Sequence, residues 1–205
     1  MSHHPSLTDL IKVLKRHQTL QKPIERAFWD IDRAHFMIPQ HRDDAYRDEC
    51  FPISSHETIS QPSVVAFMLD LLLLEQGARV LDVGAGSGFT TALIAHIVGS
   101  SGSVLGVERN ASLVDFARAN LAHYPLFNIR IEQSKQKLGW PDNGPYDRIL
   151  VSAAAASLPE ALVQQLAPEG VLVLPIQDSI WQIRDQGNGA YLKLQFPGFR
   201  FIPLL

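Results

Sequence analysis

The chain has 205 residues, of which 46% are hydrophobic and 19% charged, and its formal net charge is −3. This composition is typical of a globular protein and excludes a disordered, collagen-like or disulfide-rich chain. No block of like charge indicates a nucleic-acid surface, so we expect no nucleic-acid partner.

Three features of the sequence indicate where the protein acts. The polar N-terminal segment lacks the apolar core of a signal peptide. The longest apolar stretch, residues 64–74, is interrupted by Asp70 and falls short of the roughly 18 residues of a membrane-spanning helix. The single cysteine, Cys50, cannot form an internal disulfide and fits a reducing compartment. We therefore expect a cytoplasmic protein that does not contact a membrane.

The first third of the chain predicts helices and loops. Apolar residues recur at helical spacing near the start, at Leu7, Leu10, Ile11 and Leu14. Pro23 suits the start of a second, short helix over residues 24–29. Residues 39–52 are polar and irregular, and a long apolar helix is predicted after Gln61-Pro62.

From residue 79 onward, short apolar runs alternate with helical patterns. The predicted strands cover residues 80–83, 103–108, 127–132, 147–152 and 171–175. The predicted helices cover residues 90–98, 111–123 and 158–166. This alternation predicts an α/β fold with a doubly wound, mostly parallel sheet. The turn signal Gly187-Asn188-Gly189, between residues 181–184 and 191–195, predicts a C-terminal antiparallel hairpin.

A glycine-rich turn follows the first of these strands, and its residues are Gly84, Ala85, Gly86, Ser87 and Gly88. Glycines let the backbone approach a ligand closely, and doubly wound sheets bind ligands at the carboxyl ends of their strands. The spacing is G-x-G-x-G, with Phe89 where a dinucleotide loop has its third glycine. An NAD-dependent oxidoreductase is therefore disfavoured, and the sequence also offers no plausible hydride-transfer acid.

Two acids beside the glycine turn indicate the type of ligand. Asp82, just before the turn, suits a ligand that carries a cationic ammonium group. Glu108, at the end of the second strand, can accept hydrogen bonds from both ribose hydroxyls. Together they favour S-adenosylmethionine over NAD as the cofactor.

Several segments resemble, in order, the motifs of the protein-L-isoaspartate O-methyltransferase family. The most specific is Thr58-Ile59-Ser60-Gln61-Pro62, which is similar to the family's T-I-S-Q-P. Arg33, Phe36 and Pro39 resemble its P-R-x-x-F-x-P. Further similar segments are residues 138–141, residues 151–162 and residues 200–204. The resemblance runs from about residue 14 to residue 205.

The resemblance implies a Rossmann-like methyltransferase that repairs damaged proteins. Such an enzyme methylates the free carboxylate of L-isoaspartyl residues, which then cyclise to a succinimide and partly reopen as aspartate. It implies a single domain, with residues 1–60 as a helical extension and substrate-side loop and residues 61–205 as the cofactor-binding core. We expect a monomer without a metal site.

The resemblance also assigns residues to the site. Ser60 matches the active-site serine, and Lys135 and Gln136 lie where the family holds the adenine. The residues expected on the substrate side are Thr58, Ile59, Ser152 and Ala153. Ser60 has a second interpretation, because a serine before Gln61-Pro62 and an apolar helix is a good N-cap. Both roles remain open at this point, whereas nothing supplies a third partner for a Ser60–His56 triad.

Three segments depart from the family's motifs. Ser54-Ser55-His56-Glu57 replaces G-x-G-Q, Ser134-Lys135-Gln136 replaces G-D-G, and Pro175-Ile176-Gln177 replaces P-V-G. An ammonium offers only hydrogen-bond donors, so we do not expect Lys135 to replace the family's acid. These departures leave two alternatives open. One is a carboxylate methyltransferase that acts on a dedicated peptide, and the other is a catalytically silent S-adenosylmethionine-binding protein.

Overall fold

The structure, a computed structural model, describes residues 4–135, 137–187 and 189–204. Its strands are β1 (Phe51–Pro52), β2 (Thr58–Ile59), β3 (Arg79–Val83), β4 (Ser103–Glu108), β5 (Ile129–Gln133), β6 (Tyr146–Val151), β7 (Leu166–Ile176), β8 (Ser179–Asp185) and β9 (Tyr191–Pro197). Its α-helices are α1 (Leu7–His17), α2 (Lys22–Asp30), α3 (Pro62–Leu72), α4 (Phe89–Val98), α5 (Ala111–Leu121) and α6 (Glu160–Val163). None of the helices in these described ranges has the length and apolar character needed to traverse a bilayer.

Seven strands form one sheet in the order β5-β4-β3-β6-β7-β8-β9. Strands β3 to β7 pair in parallel, whereas β8 pairs antiparallel with both β7 and β9. The chain moves outward from β3 through β4 to β5 and then returns to the other side of β3 as β6. Ligands of doubly wound sheets bind at such a reversal of strand order, so we expect the ligand site at the carboxyl ends of β3 and β6. The predicted α/β fold class is confirmed.

Alternating side chains of the central strands pack into two separate hydrophobic cores. Val80 and Val104 face a core that they share with helices α1 to α4. Leu81 and Leu105, one residue further along each strand, face a second core that includes Leu162 of α6. This period of two is what a strand buried on both faces produces, because successive side chains point to opposite sides.

The C-terminal third differs from the sequence prediction in two places. The helix predicted over residues 158–166 covers only Glu160–Val163, because Pro159 is its N-cap residue and β7 already begins at Leu166. The predicted β8–β9 hairpin is present, but β8 also forms a hairpin with β7 through the two-residue turn Gln177-Asp178. Gly187 and Gly189 both have positive φ, and the Asn188 part of the predicted turn lies outside the described residues.

Candidate active site

A cavity of about 770 Å³ opens at the carboxyl ends of β3, β4 and β6. It gathers most of the residues that the sequence predicted for the site: Thr58, Ile59, Ser60, Gly84, Ala85, Gly86, Ser87, Glu108, Lys135, Ser152 and Ala153. Asp82 and Gly88 lie behind its wall, and Gln136 lies outside the described residues. The cofactor-side and substrate-side predictions therefore converge on one cavity.

The glycine turn forms the floor of this cavity. Gly84, Gly86 and Gly88 have φ angles of +83°, +54° and +88°, which side chains with a Cβ rarely adopt. A Cβ on Gly88 would lie 3.2 Å from the Cβ of Ala117, so this glycine lets the start of α4 pack closely on α5. The turn is tied to β4 because the Gly84 and Ala85 amides donate to the Val107 carbonyl at 2.9 and 3.1 Å.

Glu108 is fixed by the same turn. Its Oε2 accepts a hydrogen bond from the Gly86 amide at 2.9 Å, and its Oε1 accepts one from the Asn110 amide at 2.9 Å. The side chain is 7% exposed and lines the cavity. Each carboxylate oxygen has a further lone pair, so both can still accept from a diol such as the ribose of a nucleoside.

Asp82 lies beneath the glycine turn and is fully buried. Its Oδ2 accepts a hydrogen bond from the Thr91 hydroxyl at 2.6 Å, and its Oδ1 has no partner within the described residues. Burial raises the pKa of this carboxyl to about 6. The observed contact is with α4, so direct contact between Asp82 and a ligand's ammonium group stays a prediction.

Ser60 is on the cavity wall and does not cap α3, so the N-cap interpretation is wrong. The helix begins at Pro62 with Gln61 as its N-cap residue, one position later than that interpretation requires. The capping contact comes from Asp48, whose Oδ1 accepts from the Ser63 amide at 2.8 Å and whose Oδ2 accepts from the Gln61 side chain at 3.0 Å. Across the part of the chain that the structure describes, the Ser60 hydroxyl has no hydrogen-bond partner.

Arg33 holds the backbone behind Ser60, a role that the sequence analysis missed. Its guanidinium is buried and donates to the carbonyls of Ala45, Glu49 and Ser60 at 2.8, 2.9 and 3.1 Å. Burial lowers the pKa of Arg33 to about 10, so the side chain stays charged at neutral pH. The available signal was the match of Arg33 to the arginine of the motif P-R-x-x-F-x-P.

A second missed residue, Gln165, supports the far wall. Its Oε1 accepts from the Trp140 amide at 2.8 Å, and its Nε2 donates to the Leu138 carbonyl at 2.9 Å. Leu138 and Gly139 line the cavity, so the buried amide of Gln165 fixes this part of the wall. Lys135 lies alongside, with its Nζ 4.9 Å from the centre of the Trp140 ring.

The remaining wall joins β6 to the C-terminal segment. The Ser152 amide donates to the Val83 carbonyl at 2.9 Å, which places Ser152 beside the glycine turn. Ala154 donates to the Ile202 carbonyl at 2.7 Å and accepts from the Leu204 amide at 2.8 Å, so residues 202–204 close this side of the cavity. Gln177 has a φ of +55°, a conformation that favours glycine, and it does not line the cavity.

The described cavity thus combines a backbone turn and a carboxylate suited to a nucleoside with a free hydroxyl on its wall. Together with the sheet order and the C-terminal hairpin, this arrangement defines a methyltransferase of Rossmann-like fold. The sequence model of the family "Protein-L-isoaspartate(D-aspartate) O-methyltransferase" matches residues 6–205. The chain belongs to this family, which confirms the resemblance seen in its motifs.

Individual relatives are similar over most of the chain. A protein-L-isoaspartate O-methyltransferase of Thermococcus onnurineus is 38% identical over 202 residues, which cover 95% of this chain and 91% of that protein. One of Anaeromyxobacter dehalogenans is 46% identical over 154 residues, 75% of this chain and 72% of the relative. A protein-L-isoaspartate O-methyltransferase from Plasmodium falciparum, solved in complex with S-adenosyl-L-homocysteine, superposes with a TM-score of 0.87 at 27% identity. That comparison covers 98% of this chain and 99% of the other.

Proposed function

We propose that this protein transfers the methyl group of S-adenosylmethionine to the free carboxylate of L-isoaspartyl residues in damaged proteins and peptides. Family membership supports the reaction and its cofactor. The observation that carries the assignment of roles is the Ser60 hydroxyl, which faces the same cavity as Glu108 and is not used by the fold.

The reaction needs few catalytic groups. Bound S-adenosylmethionine supplies a methyl group on a sulfonium, which is already a good leaving group. An ionised carboxylate is already a nucleophile and needs no general base. The protein therefore contributes mainly alignment and exclusion of water, which can supply most of the acceleration for such a displacement.

Each cavity residue has a role in this proposal. Ser60 donates its hydroxyl hydrogen to the substrate carboxylate and orients it, while Thr58, Ile59, Ser152 and Ala153 shape the surrounding wall. Glu108 accepts from the ribose hydroxyls, and the glycine turn lies against the cofactor. Because Lys135 already contacts the Trp140 ring, we infer that the backbone next to Ser134 contributes more to adenine recognition than the Lys135 ammonium.

The product ester fits a repair reaction. The methyl ester carries a leaving group that the free carboxylate lacks, so the neighbouring backbone amide nitrogen can attack the ester carbonyl carbon, expel methanol and form a succinimide. Water then opens this ring, in part to aspartate. We further infer a cytoplasmic monomer. The exposed thiol of Cys50 favours a reducing compartment, and every residue given a role above belongs to one chain.

The experiment is a transfer of radiolabelled methyl groups from S-adenosylmethionine to a matched pair of peptides. One peptide carries a single L-isoaspartyl residue, and its twin carries aspartate at that position. We expect base-labile label on the isoaspartyl peptide alone. Equal labelling of both peptides would contradict the proposal. Calorimetric binding of S-adenosylmethionine without transfer to either peptide would instead identify a silent cofactor-binding protein.

A further inference from the structure

One carboxylate on the substrate side of the cavity has no role in the chemistry above. Glu57 lines the cavity directly before the segment Thr58 to Ser60. The only other acid on the described cavity wall is Glu108, whose two oxygens are engaged by the glycine turn and the Asn110 amide. Glu57 is therefore the negative charge available to a peptide that approaches Ser60.

The structure holds Glu57 in a fixed position. The Ile53 amide donates to the Glu57 carbonyl at 2.9 Å, and the Glu57 amide donates to the Ser54 hydroxyl oxygen at 3.0 Å. The same Ser54 hydroxyl donates to the Glu57 carboxylate, and the Asn110 side chain approaches its other oxygen at 3.5 Å. A side chain held in this way loses little conformational entropy when it binds a partner.

Within the described residues, no cationic side chain forms an ion pair with this carboxylate. Glu57 forms no ion pair with any residue in the described ranges. The lysines and the arginine that line the cavity are Arg109, Lys135 and Lys137. All three follow the ends of β4 and β5, and none of the ion pairs in the described ranges joins them to Glu57.

The distance along the chain determines which substrate residues can reach Glu57. Glu57 precedes Ser60 by three positions, so their Cα atoms are at most about 11 Å apart. An extended peptide advances about 3.3 Å per residue, so a side chain one to three positions from the isoaspartyl residue can reach this carboxylate.

We propose that Glu57 forms a subsite for a cationic side chain, lysine or arginine, close to the isoaspartyl residue of the substrate. This inference rests on the proposed function and adds a substrate class to it. An acidic neighbour of the isoaspartyl residue meets a fixed like charge at this subsite and is disfavoured, because like-charge contacts are a common source of specificity.

The test compares kcat/KM for three isoaspartyl peptides that differ only at the two positions on each side of the isoaspartyl residue. These positions carry lysine, acetyl-lysine or glutamate. We expect the wild-type protein to favour the lysine peptide over the glutamate peptide by about tenfold or more. Glu57→Gln is expected to bring that ratio close to one, and high salt is expected to reduce it in the wild type. Because the ratio is measured within each variant, a general loss of activity cancels.

Glu75→Gln is the matched control, because Glu75 is exposed and lies outside the cavity, and its replacement removes the same negative charge. It is expected to keep the wild-type ratio. A wild-type ratio near one, or a ratio that Glu57→Gln leaves unchanged, would overturn the subsite. If Glu57→Gln does not fold, the wild-type protein alone provides the test. A wild-type preference for the lysine peptide that neither high salt nor lysine acetylation reduces would also overturn the subsite. Failure of the proposed function is distinguishable, because then none of the three peptides is methylated.

Discussion

The Nη2 of Arg33 donates a hydrogen bond to the carbonyl oxygen of Ser60, with 3.1 Å between the two atoms. The fold therefore binds the backbone of this serine and leaves its hydroxyl without a partner in the described residues. Asp48 anchors the chain just beyond Ser60, through the Gln61 side chain and the Ser63 amide. A fixed backbone with a free side-chain donor is what a substrate-orienting group requires.

Ser60→Ala tests this division of roles. We expect kcat for an isoaspartyl peptide to fall about 10- to 100-fold, the range for a lost hydrogen bond to a charged group. The free energy of unfolding is expected to change by less than about 0.5 kcal/mol, because the hydroxyl caps no helix. Ser63→Ala, near the start of the same helix, is the control and is expected to retain activity. Full activity of Ser60→Ala would remove Ser60 from the reaction.

Glu108→Gln tests the ribose contact. The amide retains one acceptor for the Gly86 or Asn110 backbone but loses the charge and one acceptor, so we expect the Kd for S-adenosylmethionine to rise about 10- to 100-fold. Isothermal titration gives the Kd, and circular dichroism verifies the fold. Glu132→Gln, on the neighbouring strand and outside the cavity, is expected to bind normally. An unchanged Kd in a folded Glu108→Gln protein would contradict the assignment.

Asp82→Asn tests the buried carboxyl through its pH dependence. The folded-state pKa of about 6 lies above the ordinary value of 3.8, so the folded protein binds more protons than the unfolded chain between these two pH values. Asp82 therefore lowers stability as the pH rises through this window, by up to roughly 3 kcal/mol above pH 6.

Asparagine keeps an acceptor for Thr91 and has no charge to bury. We expect urea unfolding to find Asp82→Asn more stable than the wild type at pH 7, with the difference shrinking toward pH 4. The exposed Asp115→Asn is expected to follow the wild-type profile. A constant difference between Asp82→Asn and the wild type across this range would show that Asp82 does not titrate there.

Gln165→Leu tests the far wall, and Gln182→Leu is its control. Both glutamines are buried and donate from Nε2 to backbone carbonyls, but Gln182 contacts Leu71, away from the cavity. Each substitution is expected to cost about 1–3 kcal/mol of stability, because carbonyl partners are left unpaired. Only Gln165→Leu is expected to raise the Kd for S-adenosylmethionine, by about tenfold. Equal changes in Kd for both variants would assign Gln165 a purely structural role.

The sequence predicted the positions of the parallel strands along the chain and the cofactor turn because both depend on local signals. Glycines 84, 86 and 88 adopt the positive φ angles that their residue type favours, and Glu108 ends its strand where the apolar run predicted. Ser60 came from the family motif, since nothing in its neighbours alone separates a catalytic serine from a helix cap.

Features that depend on contacts between residues far apart in the chain were not predicted from the sequence. Asp48 caps α3 from 15 residues upstream of Ser63, so the cap was assigned to the nearer Ser60. The β7–β8 hairpin turns at Gln177-Asp178, which lacks the glycine or asparagine that predicts such a turn. Arg33 and Gln165 act through backbone carbonyls far along the chain, and a sequence pattern does not reveal those contacts.

Asp48 caps α3, so the Ser60 hydroxyl is not needed for this purpose, and this has an evolutionary consequence. Folding makes no use of the Ser60 hydroxyl in the described structure, so stability exerts no selection on that atom. With Ser60 in the role proposed above, a lineage that replaced this serine would lose most of its methyl transfer in one step and keep a stable protein that still holds its cofactor. Retention of serine at position 60 among descendants of this chain would therefore record selection for chemistry, independent of selection for the fold.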